Sequence, residues 1–112
     1  MKRPEQSLQK SIVTFIRTAY PRAVCFHVPN GGGRSKIEAA IFKSIGVMSG
    51  VADLCILWKG GHVGFIEVKA GKGKLSENQL KFMDHCVRLG IPWECVNSLE
   101  QAQSTLKHWG VS

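Results

Sequence analysis

The stretch that decides the fold runs from Gly46 to Gln79. It begins Gly46-Val47-Met48-Ser49-Gly50-Val51-Ala52-Asp53-Leu54-Cys55-Ile56-Leu57-Trp58 and turns at Lys59-Gly60-Gly61. It continues His62-Val63-Gly64-Phe65-Ile66-Glu67-Val68-Lys69, then a Gly/Lys loop and Leu75-Ser76-Glu77-Asn78-Gln79. Two apolar runs of strand length across a Gly-Gly turn predict a β-hairpin. Asp53 stands at the start of the first run, and Glu67-Val68-Lys69 lies in the second. Strand alternation puts Glu67 and Lys69 on one face, about 6.7 Å apart along the backbone. Charges in an otherwise apolar central strand are costly unless something compensates them. A divalent cation and a phosphate would do so, and an Asp, a Glu and a Lys on adjacent strands suit metal-dependent phosphodiester hydrolysis. A solvated Glu–Lys pair on an exposed sheet face is the other reading of the same spacing.

Working outward, Leu8, Ile12, Phe15, Ile16 and Ala19 recur at helical spacing from Pro4 to Ala19, and Pro21 ends that helix. Glu5 falls on its inward stripe, either as a first-turn partner of the helix dipole or as a site residue. Residues 23–28 have strand composition and lead into Pro29-Asn30-Gly31-Gly32-Gly33-Arg34. Glycines, an arginine and a following helix N-terminus can cradle a phosphate, although such a loop is as often only a tight connection. Ser35 with Glu38 predicts a capped helix whose Ile37, Ala40, Ile41 and Ile45 share a face, closed by Gly46. Past the hairpin, Lys72 and Lys74 lie in a basic loop suited to a DNA backbone or simply to water. Ser76 and Gln79 cap a helix to Leu89 with Leu80, Met83 and Val87 expected inward. Residues 92–96 read as a last strand, and Ser98 with Gln101 caps a final helix to Trp109. The order α-β-α-β-β-α-β-α predicts an α/β fold, a mixed sheet flanked by helices.

The 112 residues suit a single domain, 1–112, and a hydrophobic share of 44% argues for a folded core. A net charge of +7 and a pI near 9.5 point to a polyanionic partner, nucleic acid first among them. No apolar run approaches the ~20 residues of a membrane-spanning helix. The opening Met1-Lys2-Arg3-Pro4-Glu5-Gln6 has no apolar signal core, so a cytoplasmic protein is expected. Cys25, Cys55, Cys86 and Cys95 are scattered without zinc-ligand spacing and are expected to be reduced, buried hydrophobes.

Gly50-Val51-Ala52-Asp53 followed by Glu67-Val68-Lys69 resembles the PD-(D/E)XK nuclease signature. More narrowly, the chain resembles the virus-type replication-repair nuclease (VRR-NUC) family. Glu5, Pro29-Asn30-Gly31-Gly32 with Arg34, Gly46-Val47, Asp53, Glu67-x-Lys69 and Leu75-Ser76 before Gln79 stand in that family's order. One departure is Ala52, where the family has proline; that residue shapes the strand entry and binds nothing. The resemblance implies a restriction-endonuclease-like fold and a catalytic set of Asp53, Glu67, Lys69, Gln79 and Glu5. Asp53, Glu67 and the Val68 carbonyl would hold Mg2+, a hard cation that takes few protein oxygens, with Mn2+ able to substitute. Lys69, favoured as ammonium by two nearby carboxylates, would orient water and neutralise phosphate. Asn30, Gly31, Gly32, Arg34, Lys72 and Lys74 would contact nucleic acid. Small stand-alone members resemble homodimeric resolvases of four-way (Holliday) junctions, so branched DNA and a second copy are the partners implied, in a bacterial or phage-infected cell. A flap- or nick-directed repair nuclease and a non-catalytic DNA-binding module are the alternatives.

Overall fold

The computed structural model describes residues 2–29 and 35–112. Its elements follow the expected order: α1 (Arg3–Ala19), β1 (Val24–His27), α2 (Lys36–Ser44), β2 (Leu54–Trp58), β3 (His62–Val68), α3 (Glu77–Leu89), β4 (Trp93–Val96) and α4 (Leu99–Trp109). Pro4 sits in the first turn of α1, where its missing N–H removes no helical bond. Ser35, Ser76 and Ser98 each cap a helix by accepting the backbone N–H three residues on. The β2–β3 turn is tight enough to hold Gly60 and Gly61 at φ 98° and 77°, a region open to glycine.

The four strands lie in the order β1-β2-β3-β4. The β1–β2 and β2–β3 pairs are antiparallel, with Leu54 opposite Ile66 and Trp58 opposite His62. β4 pairs with β3 in parallel, which requires a crossover, and α3 supplies it. This topology brings the end of β1, the start of β2 and the ends of β3 and β4 to one edge of the sheet. His27, Asp53, Lys69 and Val96 therefore gather there.

The core forms where Leu54, Ile56, Trp58, Ile66, Val68 and Val96 meet Ile12 and Ile16 of α1 and Ala102 and Leu106 of α4. Trp58 stacks on Trp109 with ring centroids 6.0 Å apart, and a Cβ on Gly64 would stand 2.6 Å from the Trp109 ring. At the alternate sheet positions Phe65 meets Phe82 of α3 edge to face, centroids 5.0 Å apart. All four cysteines are free; Cys25, Cys55 and Cys86 are buried, and burial pushes every one of the thiols up.

Two helical faces depart from expectation. The stripe of α3 that meets the sheet contains Phe82, Met83 and Cys86, whereas Leu80 and Val87 are exposed. The Phe65–Phe82 contact and the burial of Cys86 set the rotation of the helix. On α2 no residue is buried, and Ile37, Ile41 and Ile45 are 75%, 54% and 71% exposed. Periodicity predicts which side chains share a face but not what covers that face. Among the described residues no helix is long and apolar enough to cross a membrane.

Candidate active site

The site is built at the sheet edge where β2 begins and β3 ends. Gly50 opens the approach: at φ 86° it presses on the first turn of α3, and a Cβ there would overlap the Asn78 carbonyl and stand 2.7 Å from the Gln79 nitrogen. The chain then passes through fully buried Ala52 to Asp53, which is held at both ends. Its carboxylate Oδ2 accepts the Val68 N–H at 2.8 Å. Its backbone carbonyl accepts the Val28 N–H and the His27 Nδ1–H, each at 2.8 Å.

Glu67 is 2% exposed, the one charged side chain in the described core. Its carboxyl is pushed up to about 9, first by burial, then by a hydrogen bond to Asp53 and the Asp53 charge; Lys69 opposes the rise and Glu5 adds to it. Without a cation, the pair accordingly holds a proton on Glu67, which donates to Asp53. Lys69 continues the β3–β4 ladder one residue past the strand, its N–H donating to the Val96 carbonyl at 2.9 Å. Glu5 closes the group from α1: its Oε1 and the Lys69 Cδ are each 3.5 Å from where a Cβ on Gly73 would lie. The Ala70–Leu75 loop thus covers a carboxylate and a lysine together. One turn along α1, the Gln9 Oε1 is buried without a hydrogen-bond partner.

Asp53, Glu67, Val68, Lys69 and Glu5 are therefore brought together. Val68 contributes visibly through its amide, which pins Asp53. Gln79 lies beside Gly50, and its Oε1 accepts the Ser76 N–H at 2.8 Å in a complete capping box. Its amide NH2 is left to donate to a substrate. Lys72 and Lys74 are exposed on the covering loop. Asn30, Gly31, Gly32 and Arg34 lie outside the described residues. Sequence reasoning missed His27, since a single histidine closing a short strand carries no periodic signal.

The donor set fits a hard cation. Among the described residues no three His, Cys, Asp or Glu side chains stand close enough to cage an ion. Magnesium does not need such a cage: one or two carboxylates, a carbonyl, water and substrate phosphate suffice. The buried Glu67 carboxyl, hydrogen-bonded to Asp53, offers donors of that kind.

Comparison with known proteins gives the family and the fold. The VRR-NUC domain family matches residues 3–100. A solved structure described as a VRR-NUC domain aligns over 95% of this chain and 97% of its own, with a TM-score of 0.68 at 21% identity. Another, a VRR-NUC domain protein, aligns over 97% of this chain and 89% of its own, with a TM-score of 0.72 at 20% identity. No curated protein matches the sequence. With the family matched over nearly its whole length and the acidic pair gathered at the sheet edge, the chain belongs to the VRR-NUC family of DNA nuclease domains.

Proposed function

We propose that this domain is a Mg2+-dependent endonuclease that, as a homodimer, cuts four-way DNA junctions. The observation that carries the catalytic part is the Val68 N–H to Asp53 Oδ2 bond, 2.8 Å, beside the buried Glu67 carboxyl. A domain that only bound DNA would gain nothing from buried acid facing a polyanion.

Hydrolysis joins a water oxygen to phosphorus and expels one ester oxygen. Asp53, Glu67 and the Val68 carbonyl would hold the magnesium, or manganese in its place. When bound, that ion supplies positive charge against the paired carboxylates and the developing phosphorane. Lys69 orients the attacking water and neutralises a phosphate oxygen. Glu5 accepts from outer waters, and the Gln79 amide NH2 donates to phosphate. Lys72 and Lys74, with Asn30, Gly31, Gly32 and Arg34, hold the backbone of the strand. These contacts are to phosphates, so recognition follows nucleic-acid shape rather than base sequence.

The uncovered face of α2 supports the dimer. Ile37, Ile41 and Ile45 form an apolar stripe, and a second copy is the occupant that a symmetric junction calls for, since one site nicks one strand. Incubation with four-way junction, flap and linear duplex DNA, in magnesium and then in EDTA, tests the reading. Paired nicks on the junction, abolished by EDTA, are expected. Preferential flap cutting would redirect the substrate, and binding without cleavage in either buffer would leave only a DNA-binding module.

A further inference from the structure

His27 is a polar side chain bonded to Asp53 that the nuclease reading does not use. Its Nδ1 lies 2.8 Å from the Asp53 backbone oxygen. A carbonyl oxygen can only accept, so Nδ1 carries the proton in this contact. The same oxygen accepts the Val28 N–H at 2.8 Å, and the Asp53 carboxylate accepts the Val68 N–H at 2.8 Å. Asp53 is therefore tied to β1 through its main chain and to β3 through its side chain. The β1 tie matters because Asp53 precedes the first paired residue of β2: the ladder starts at Leu54, opposite His27. Beyond that pair, the bonds to its carbonyl are what join Asp53 to β1.

We propose that His27 is a positioning residue of the nuclease site. By clamping the Asp53 carbonyl, the imidazole fixes the direction in which the carboxylate leaves the backbone, and so where an ion meets it. Hydrogen bonds behind a ligand commonly set metal affinity by about 10-fold or more. The inference rests on the nuclease reading for its consequence, but its structural half stands without metal.

The test uses the full chain and the variants His27→Ala and His27→Asn. Asparagine places an amide N–H close to where the ring carries Nδ1–H and offers nothing at the position of Nε2. In metal-free protein, the Val68 amide should exchange with deuterium about 5-fold faster in His27→Ala, the equivalent of one lost hydrogen bond. It should return to the wild-type rate in His27→Asn. Calorimetry with Mn2+ should show about 10-fold weaker binding for His27→Ala and recovery for His27→Asn, while affinity for junction DNA in EDTA stays unchanged. Unchanged Val68 exchange in His27→Ala overturns the inference. So does equal loss in both variants, or weaker DNA binding in EDTA, which would make the ring a substrate contact. A wild-type chain that takes up no Mn2+ sinks the nuclease reading instead, and with it the consequence drawn for His27.

Discussion

The edge of the sheet and the outer face of α2 break the usual rule in opposite directions. At the edge, a carboxyl that belongs in water is buried: Glu67 is 2% exposed and keeps its proton against Asp53. On α2, isoleucines that belong in a core stand in solvent, with Ile37 75% exposed. Each exception is costly in the isolated chain. A buried carboxyl hydrogen-bonded to a carboxylate suits a cation that would displace its proton, whereas uncovered apolar surface suits another protein surface. The two mismatches are the ground for the proposed catalytic end and the proposed assembly face.

Removing the acid should break the comparison hardest. Asp53→Ala should lower turnover on junction DNA by about 10³-fold in a single-turnover assay, with the fold kept by circular dichroism. Activity near wild type would remove Asp53 from the site. Lys69→Ala should cost about 10²-fold, on the order of 3 kcal/mol in the barrier, because charge building on phosphate loses its ammonium. Near-normal turnover would refute that role.

Gly50→Ala strikes the scaffold and not the chemistry. With φ at 86° and the α3 backbone against it, the added Cβ should destabilise by about 3 kcal/mol, read as a drop in Tm. A Tm near wild type would mean that the loop can retreat from α3.

Glu67→Gln sharpens the electrostatic half. Below the ordinary value of 4.5 both folded and unfolded chains carry the proton, and the substitution should be nearly neutral. As pH rises toward about 9, the unfolded chain releases its proton and the folded one keeps it, so wild-type stability is lost across that window. The metal-free variant should therefore melt about 4–8 °C higher than wild type at pH 8 and the same at pH 4. A gain of equal size at both pH values would mean that the proton is not the cause.

The apolar half is tested by Ile41→Glu. If two copies pair through this face, the variant should run as a monomer by light scattering where the wild type runs as a dimer, since Ile41 is exposed in the isolated chain. A wild-type chain that is monomeric at micromolar concentration would refute the dimer outright.

Much of the fold was legible because its signals are local. Serine caps at 35, 76 and 98, the Gly60-Gly61 turn and the alternation through β3 each involve residues a few positions apart. Helix faces were less legible. The stripe Leu80, Met83, Val87 and the stripe Phe82, Met83, Cys86 are both periodic, and only contact with Phe65 chooses between them. The candidate site divides in the same way: Glu67 and Lys69 share a face by alternation, but the Ser76–Gln79 pattern reads as a cap whether or not Gln79 also meets a substrate, and His27 had no pattern to betray it.

By itself the sequence determined the elements, their order, the Glu67-x-Lys69 pair and the basic character of the chain, because strand alternation, helix caps and charge are properties of neighbours along the backbone. Only the tertiary structure decided that Asp53 meets Val68 and His27, that Gly50 rests on α3, and that the isoleucines of α2 face outward. Those are contacts between strands and helices distant in sequence, set by the register of Leu54 on Ile66 and by what the core leaves uncovered.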